Sequence, residues 1–313
     1  MSYCCSIPIL MIGFNRPDNI KKVFEKVREV KPKKLYIAID GAREGKVGEK
    51  DLVEATKLAV SNIDWDCEVY RRYNTTNLGA ELTISSAIRW ICEENDYFIC
   101  LEDDIIAPIS FFKFMEEMLI LYKDDSRICS VSGNNFTPLE TPMGEDYFFC
   151  RYGHIWGWGS WKRECKDITI DCEIKKEHCS LSFCKQVSSS MQEAKYLQNK
   201  FTSLRKKGIG NCTWDNIVSY KRRIENKLSI VPRVNLTTNI GVEGLHARGC
   251  TKYHFVPYDE KFEVKIHPKE ISCWKEFDIY HFEHHFPKQN SFIKRLINRF
   301  KRLMTSFCGR YKR

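Results

Sequence analysis

The chain contains no apolar run approaching the ~18 residues needed to cross a bilayer, which excludes a hydrophobic membrane-spanning helix. It has no Cys-x-x-Cys pair and no Cys/His set at zinc-finger spacing, although 15 of its 313 residues are cysteine. A zinc ribbon and a thioredoxin-type redox pair are therefore excluded. The cysteine count is odd, and Cys92 and Cys100 sit inside apolar stretches, where a free thiol behaves as a small hydrophobe. Reduced thiols in a cytosolic compartment are the expectation. No G-x-x-x-x-G-K-[S/T] loop occurs, and no G-x-G-x-x-G follows the first apolar run. Any phosphate bound here must be neutralised by something other than a glycine-rich loop. Internal repeats, low-complexity tracts and a linker separating two domains are all missing. The run Ile7 to Phe14 is short, lacks a basic segment ahead of it and leads into Asn-Arg-Pro, so it reads as a first strand rather than a secretory signal.

Acid is scarce at one end. Residues 291–313 hold eight Lys/Arg and no Asp/Glu, so of the net charge of +9 only +1 belongs to the rest of the chain. In that tail Phe292, Ile293, Leu296, Ile297, Phe300, Leu303, Met304 and Phe307 recur at helical spacing, with Lys294, Arg295, Arg299, Lys301 and Arg302 on the other face. The pattern predicts a basic amphipathic helix suited to an anionic membrane surface, or else docked on the core. Because the remainder is nearly neutral, nucleic acid is not an expected partner.

What is present is an alternation of strand and helix. Ile7 to Gly13 is strand-like, and Pro17-Asp18 open a helix with Ile20, Val23, Phe24 and Val27 on its apolar face. Leu35 to Ile39 predicts a strand, Leu52 to Ile63 a helix and Cys67 to Tyr70 a strand. A helix then runs through Ile84, Ile88 and Ile91, a strand through Tyr97 to Leu101, a helix from Ser110 to Tyr122 and a strand from Arg127 to Ser132. Such alternation predicts βαβ units and a mainly parallel sheet flanked by helices. Downstream, residues 146–161 are rich in aromatics and glycine. Ile174 to Lys207 reads as helical, Trp214 to Tyr220 as a short helix, Leu228 to Val231 as a strand and 235–249 as a loop. The division expected is a regular α/β half over 1–135, a less regular half of the same domain over 136–255 and an extension over 256–313.

The strand Tyr97 to Leu101 runs straight into Glu102-Asp103-Asp104. Three adjacent carboxylates repel one another and raise at least one pKa unless a cation is present. Alternation along the strand would put Glu102 and Asp104 on one side and Asp103 on the other. Ligands of open parallel sheets bind beyond the carboxyl ends of the strands. A hard divalent ion held by one or two carboxylates plus substrate phosphates suits that place; a solvated acidic turn is the plainer alternative. Other strand ends carry Asn15-Arg16-Pro17, Asp40-Gly41 and Asn77-Leu78-Gly79. Arg16 offers a planar fork suited to phosphate or a base edge. Asp40 can accept hydrogen bonds from a base or simply close a turn.

These four elements, in this order, resemble the GT-A (nucleotide-diphospho-sugar transferase) glycosyltransferases, and among them the N-acetylglucosaminyltransferase I family and its bacterial relatives. His154 to Trp161 is similar to the aromatic acceptor-side segment of the bacterial relatives. Thr213-Trp214-Asp215 is similar to the family's Trp-Asp element, and Val231-Pro232-Arg233-Val234-Asn235 with Asn239-Ile240-Gly241 follow it. The resemblance spans residues 7–247. It implies a GT-A fold and transfer, with inversion, from a nucleotide-sugar donor such as a UDP-sugar to a glycan or lipid-linked saccharide. It also implies manganese or magnesium as cofactor. Within it Arg16, Asp40 and Asn77 fall on the donor side, Arg16 and Asp40 at the base. Glu102 and Asp103 contact ribose or sugar, Asp104 binds the metal and Asp215 is the general base. Ala80-Glu81 depart from the pattern, since a basic residue is expected in that helix start. A non-catalytic relative and a sugar-phosphate nucleotidyltransferase are the rival readings; the latter class carries a glycine-rich, basic loop that is missing here.

The chemistry of the residues agrees with those roles. A base on the acceptor side must take the hydroxyl proton, and Asp215 beside Trp214 is expected to be desolvated and raised in pKa. Its alternative is a helix N-terminal acid. Trp156, Trp158 and Trp161, three tryptophans within six residues, are candidates for stacking on an acceptor sugar, or members of an aromatic core, and Trp214 is a further candidate on the acceptor side. His246, in a glycine-rich loop, is a candidate for closing over the diphosphate, or a surface histidine. His281, His284 and His285 lack the partners of a metal site and are expected at the surface.

Overall fold

The computed structural model of the protein describes residues 3–242 and 251–286; His246 and the basic tail lie outside them. The strands are β1 (Ile9–Gly13), β2 (Lys34–Ile39), β3 (Glu68–Tyr73), β4 (Tyr97–Glu102), β5 (Ile105–Ile106), β6 (Ile128–Ser132), β7 (Tyr147–Cys150), β8 (Trp158–Trp161), β9 (Leu228–Pro232) and β10 (Thr238–Asn239). The helices are α1 (Pro17–Val30), α2 (Glu49–Ala59), α3 (Ala80–Glu94), α4 (Ile109–Leu121), α5 (Lys162–Cys165), α6 (Leu181–Gln186), α7 (Met191–Lys207), α8 (Trp214–Ile224) and α9 (Lys275–His285). Eight strands form one sheet in the order β3-β2-β1-β4-β8-β6-β9-β7, and β5 pairs with β10 in a small second sheet. The protein is α/β, with a large, mostly parallel central sheet flanked by helices.

Strand alternation divides the core in two. Ile9 and Met11 of β1, Ile37 and Ile39 of β2, and Ile99 and Leu101 of β4 face α1, α2 and α4, meeting Val23, Phe24, Val53 and Phe111. Leu10, Ile12, Tyr36, Ala38, Phe98 and Cys100 face the other way, onto Ile84, Ile88 and Ile91 of α3. Both faces are covered, which is why these strands read as unbroken apolar runs. The thirteen cysteines among the described residues are free, and Cys92 and Cys100 lie buried in the α3 layer.

Two expectations are corrected, and the aromatic, glycine-rich segment proves to enter the sheet. Its end forms β8, wedged antiparallel between β4 and β6. Gly159 permits this, because a Cβ there would lie 2.9 Å from Leu119 Cδ1 and 3.1 Å from the Phe98 carbonyl oxygen. The span Ile174 to Lys207 is not one helix: Ser180 and Ser190 each accept a hydrogen bond from a backbone N–H three residues on and so start α6 and α7 separately. His281 is not at the surface. It is 6% exposed, with its ring 4.4 Å from that of Tyr152 and 5.0 Å from that of His154. Burial holds all these imidazoles toward the neutral form, His154 at about 3 and His285 at about 4. Only His284 of the three clustered histidines is exposed.

Candidate active site

The carboxyl ends of β1, β2 and β4 lie side by side, because β1 pairs in parallel with both neighbours. Ile12 is level with Glu102, so Asp103 falls beside the end of β1, where the Phe14 N–H donates to its Oδ2 at 3.3 Å. The strand stops at Glu102 and the chain turns through Asp103-Asp104. The alternation expected of the acids therefore fails. The turn carries Asp103 and Asp104 to the same side, and Arg16 grips both, Nη2 lying 2.5 Å from Asp103 Oδ1 and Nη1 2.8 Å from Asp104 Oδ2. Arg16, expected at a nucleobase, stands in this structure as the counter-ion of the aspartates.

A second layer covers the acids. β5 leaves directly from the turn and pairs antiparallel with β10. This brings the Ile240 N–H onto the Asp104 carbonyl oxygen at 2.9 Å. Asn239 accepts from the Gly241 N–H at 2.6 Å. Gly241 lies so close that a Cβ would sit 2.1 Å from Asp104 Oδ2 and 2.8 Å from Arg16 Nη1. Only glycine allows backbone to approach a carboxylate this closely.

The acids are short of positive charge. Burial, then the charges of Asp104 and Asp103, push Glu102 up to about 8; Arg16 opposes and Asp215 adds to the rise. Asp103 is also raised, by burial first, with Arg16 opposing and Asp104 adding. Asp103 is 2% exposed, and the Arg16 guanidinium lies 2.5 Å from its Oδ1. One guanidinium against three adjacent carboxylates leaves negative charge that a cation could balance. Among the described residues no three His, Cys, Asp or Glu side chains converge on one point. Magnesium-like ions are commonly bound by only one or two carboxylates, with phosphate and water oxygens completing the shell. The donor set of Asp103 and Asp104 fits such an ion.

Asp40, at the end of β2, does something else. Its Oδ1 accepts from the Gly41 and Leu78 N–H groups and Asn74 Nδ2, and its Oδ2 from the Gly79 N–H and Asn77 Nδ2, all between 2.9 and 3.0 Å. The carboxylate is 4% exposed. It is spent on holding the turn that starts α3, which leaves it unable to read a base edge. Asn77 is spent likewise, donating also to the Gly41 carbonyl at 2.8 Å.

No family model matches the chain, and no curated protein matches it. Among solved structures it is similar to a mannosyltransferase from Pyrobaculum calidifontis in complex with GDP-Man and Mn2+, with 13% identity over 51% of this chain and a TM-score of 0.31. The chain covers 45% of that protein's length. It is also similar to 4-diphosphocytidyl-2C-methyl-D-erythritol synthase from Anaerococcus prevotii, with 7% identity over 72% of this chain and 87% of that one, TM-score 0.35. UDP-glucose pyrophosphorylase complexed with UDP-glucose is similar at 9% identity over 72% of this chain and 90% of that one, TM-score 0.35.

Asp215 is in the first turn of α8, near enough to Glu102 to raise that group's pKa. Asp215 is exposed, so the desolvation expected from its neighbour Trp214 is not there. Trp214 is itself 4% exposed and stacks on Trp158, which is 3% exposed, with ring centroids 6.0 Å apart. Neither ring offers a face to a sugar. Both were candidates for acceptor contact and both are core. Trp156 remains partly accessible, flanked by Phe136 and His254.

Glu81, the anomalous acid of the third helix, now has a role. Its carboxylate accepts from the Trp214 N–H at 2.6 Å, while Thr213 makes no side-chain cap. The first turn of α8 is thus capped from α3, and α3 is seated by the Asp40 turn. The hint in the sequence was an acid in the first turn of a helix where a base was expected. We expect Glu81→Ala to cost about 1 kcal/mol in urea denaturation, the usual value of a helix N-cap. Glu81→Gln, which keeps an acceptor oxygen, should restore most of that loss.

Proposed function

We propose that the protein is a metal-dependent, inverting glycosyltransferase that moves a sugar from a nucleotide diphosphate, UDP first among those to test, to a glycan or lipid-linked acceptor. The observation that carries this reading is the cation-poor acid turn Glu102-Asp103-Asp104 at the carboxyl edge of the sheet, with Asp215 on a separate helix close enough to act on the Glu102 charge. Asp104 would hold a manganese or magnesium ion, and Asp103 would support it. When bound, the ion supplies charge that stabilises a departing diphosphate. Glu102 and Asp103 would meet the ribose or the donor sugar. Asp40 and Asn77 contribute by fixing the turn ahead of α3 rather than by touching the base, and His246 belongs to the segment proposed to close over the diphosphate. Asp215, exposed and ionisable at the acceptor side, would take the proton of the attacking hydroxyl, and Trp156 would line that side. Inversion is drawn from the family resemblance alone. The lack of a glycine-rich basic loop favours sugar transfer over nucleotidyl transfer.

The test is a thermal-shift series of the full chain with nucleotide sugars, with and without manganese, since a ligand that binds the folded state raises Tm by mass action. A rise that needs both components is expected; no response to any nucleotide sugar would overturn the reading. Asp215→Asn should keep the shift and lose turnover by about 10²- to 10⁴-fold, the range of general-base contributions. A variant with unchanged turnover would remove Asp215 from the mechanism.

A further inference from the structure

Arg222 and Arg223 are adjacent on α8 and both are buried, yet their surroundings differ. Arg223 is 2% exposed and fully engaged: Glu193 lies 2.8 Å from its Nη2, and its Nη1 donates to the Val187 carbonyl at 2.7 Å. Arg222 is 7% exposed and meets no carboxylate among the described residues. Its hydrogen bonds there are weak, Nε to Cys129 Sγ at 3.3 Å and Nη2 to Ser130 Oγ at 3.5 Å. The guanidinium lies flat on Gly153, where a Cβ would come within 2.5 Å of Nη2 and 2.7 Å of Nη1. A guanidinium carries five N–H donors and cannot shed its charge. Buried charges are normally paired, because an unpaired one costs several kcal/mol of desolvation.

A further feature lies beside Arg222. His154, next in the chain to the Gly153 on which Arg222 packs, has a buried Nε2 with no hydrogen-bond partner among the described residues. Asp215, Val218 and Arg222 recur at helical spacing and so lie along one face of α8. We propose that Arg222 binds an oxyanion, a phosphate or a carboxylate, on the Asp215 face of α8. On the transfer reading above that anion belongs to the acceptor; the site itself does not depend on that reading.

The experiment is a thermal-shift titration of the full chain in EDTA, with inorganic phosphate, with glucuronate and with chloride at matched ionic strength. EDTA removes any cation that could recruit phosphate to the acid turn, so the result stands apart from the donor experiment. Phosphate or glucuronate should raise Tm saturably where chloride does not, and the one that acts identifies the group. Arg222→Met should abolish that rise while being at least as stable as the parent in chloride, because it removes an uncompensated buried charge. Should Arg222→Met not fold, Arg222→Lys carries the test, since lysine lacks the fork, and binding must weaken about tenfold. No response to either oxyanion, or a response unchanged in the Arg222 variants, overturns the site.

Discussion

Asp104→Ala is expected to abolish the manganese-dependent rise in Tm produced by a nucleotide sugar and to slow transfer by about a thousandfold or more, equivalent to ~4 kcal/mol. The reason is the charge balance at the end of β4. Three carboxylates share one guanidinium, and burial together with mutual repulsion raises Glu102 and Asp103. A divalent ion bound there would relieve that repulsion and, on the proposed reading, supply charge to a diphosphate. Without Asp104 such an ion would lose its more accessible aspartate, while Arg16 stays paired with Asp103 at 2.5 Å. The fold should therefore survive. Removing one of three crowded negative charges leaves stability in EDTA equal to the parent's or higher. Loss of folding would make Asp104 a structural residue, and manganese-dependent binding that persists in a folded variant would dismiss the metal role.

Asp40→Ala is the largest stability loss we expect, roughly 3 to 5 kcal/mol in urea denaturation. Five donors converge on a carboxylate that is 4% exposed, and alanine leaves all five without an acceptor. Water cannot readily replace it, because Gly41 packs against the backbone of Thr76 so tightly that a Cβ would lie 2.5 Å from its carbonyl carbon and oxygen. Asp40→Asn should recover part of the loss, since its single oxygen still accepts but its amide faces other donors. The damage should extend beyond stability. The Asp40 turn seats α3, Glu81 on α3 caps α8, and α8 carries Asp215. Asp40→Asn should therefore impair turnover in the folded fraction even though Asp40 is proposed to touch no substrate. An Asp40→Ala variant as stable as the parent would show that the turn holds itself.

Much of this was open to reading in one dimension. The strands β1, β2 and β4 are unbroken apolar runs because both sheet faces are covered, and that is a local property of sequence. The placing of Arg16, Asp40 and the three acids at strand ends follows from it, since parallel strands share one carboxyl edge. Tertiary structure decided what those residues do. Asp103 and Asp104 lie on one side because the strand stops at Glu102 and turns, and no alternation rule foresees where hydrogen bonding ends. Trp158 and Trp214, which as a sequence pattern suit a sugar platform, became core because β8 inserts between β4 and β6, a long-range pairing with no local signal. Glu81 looked misplaced until α8 arrived 133 residues later to use it as a cap. Arg222 and Arg223 are adjacent and chemically identical. One helical step turned Arg223 onto Glu193 and left Arg222 with no carboxylate among the described residues, a difference set by what packs around α8 and by nothing in the two residues themselves.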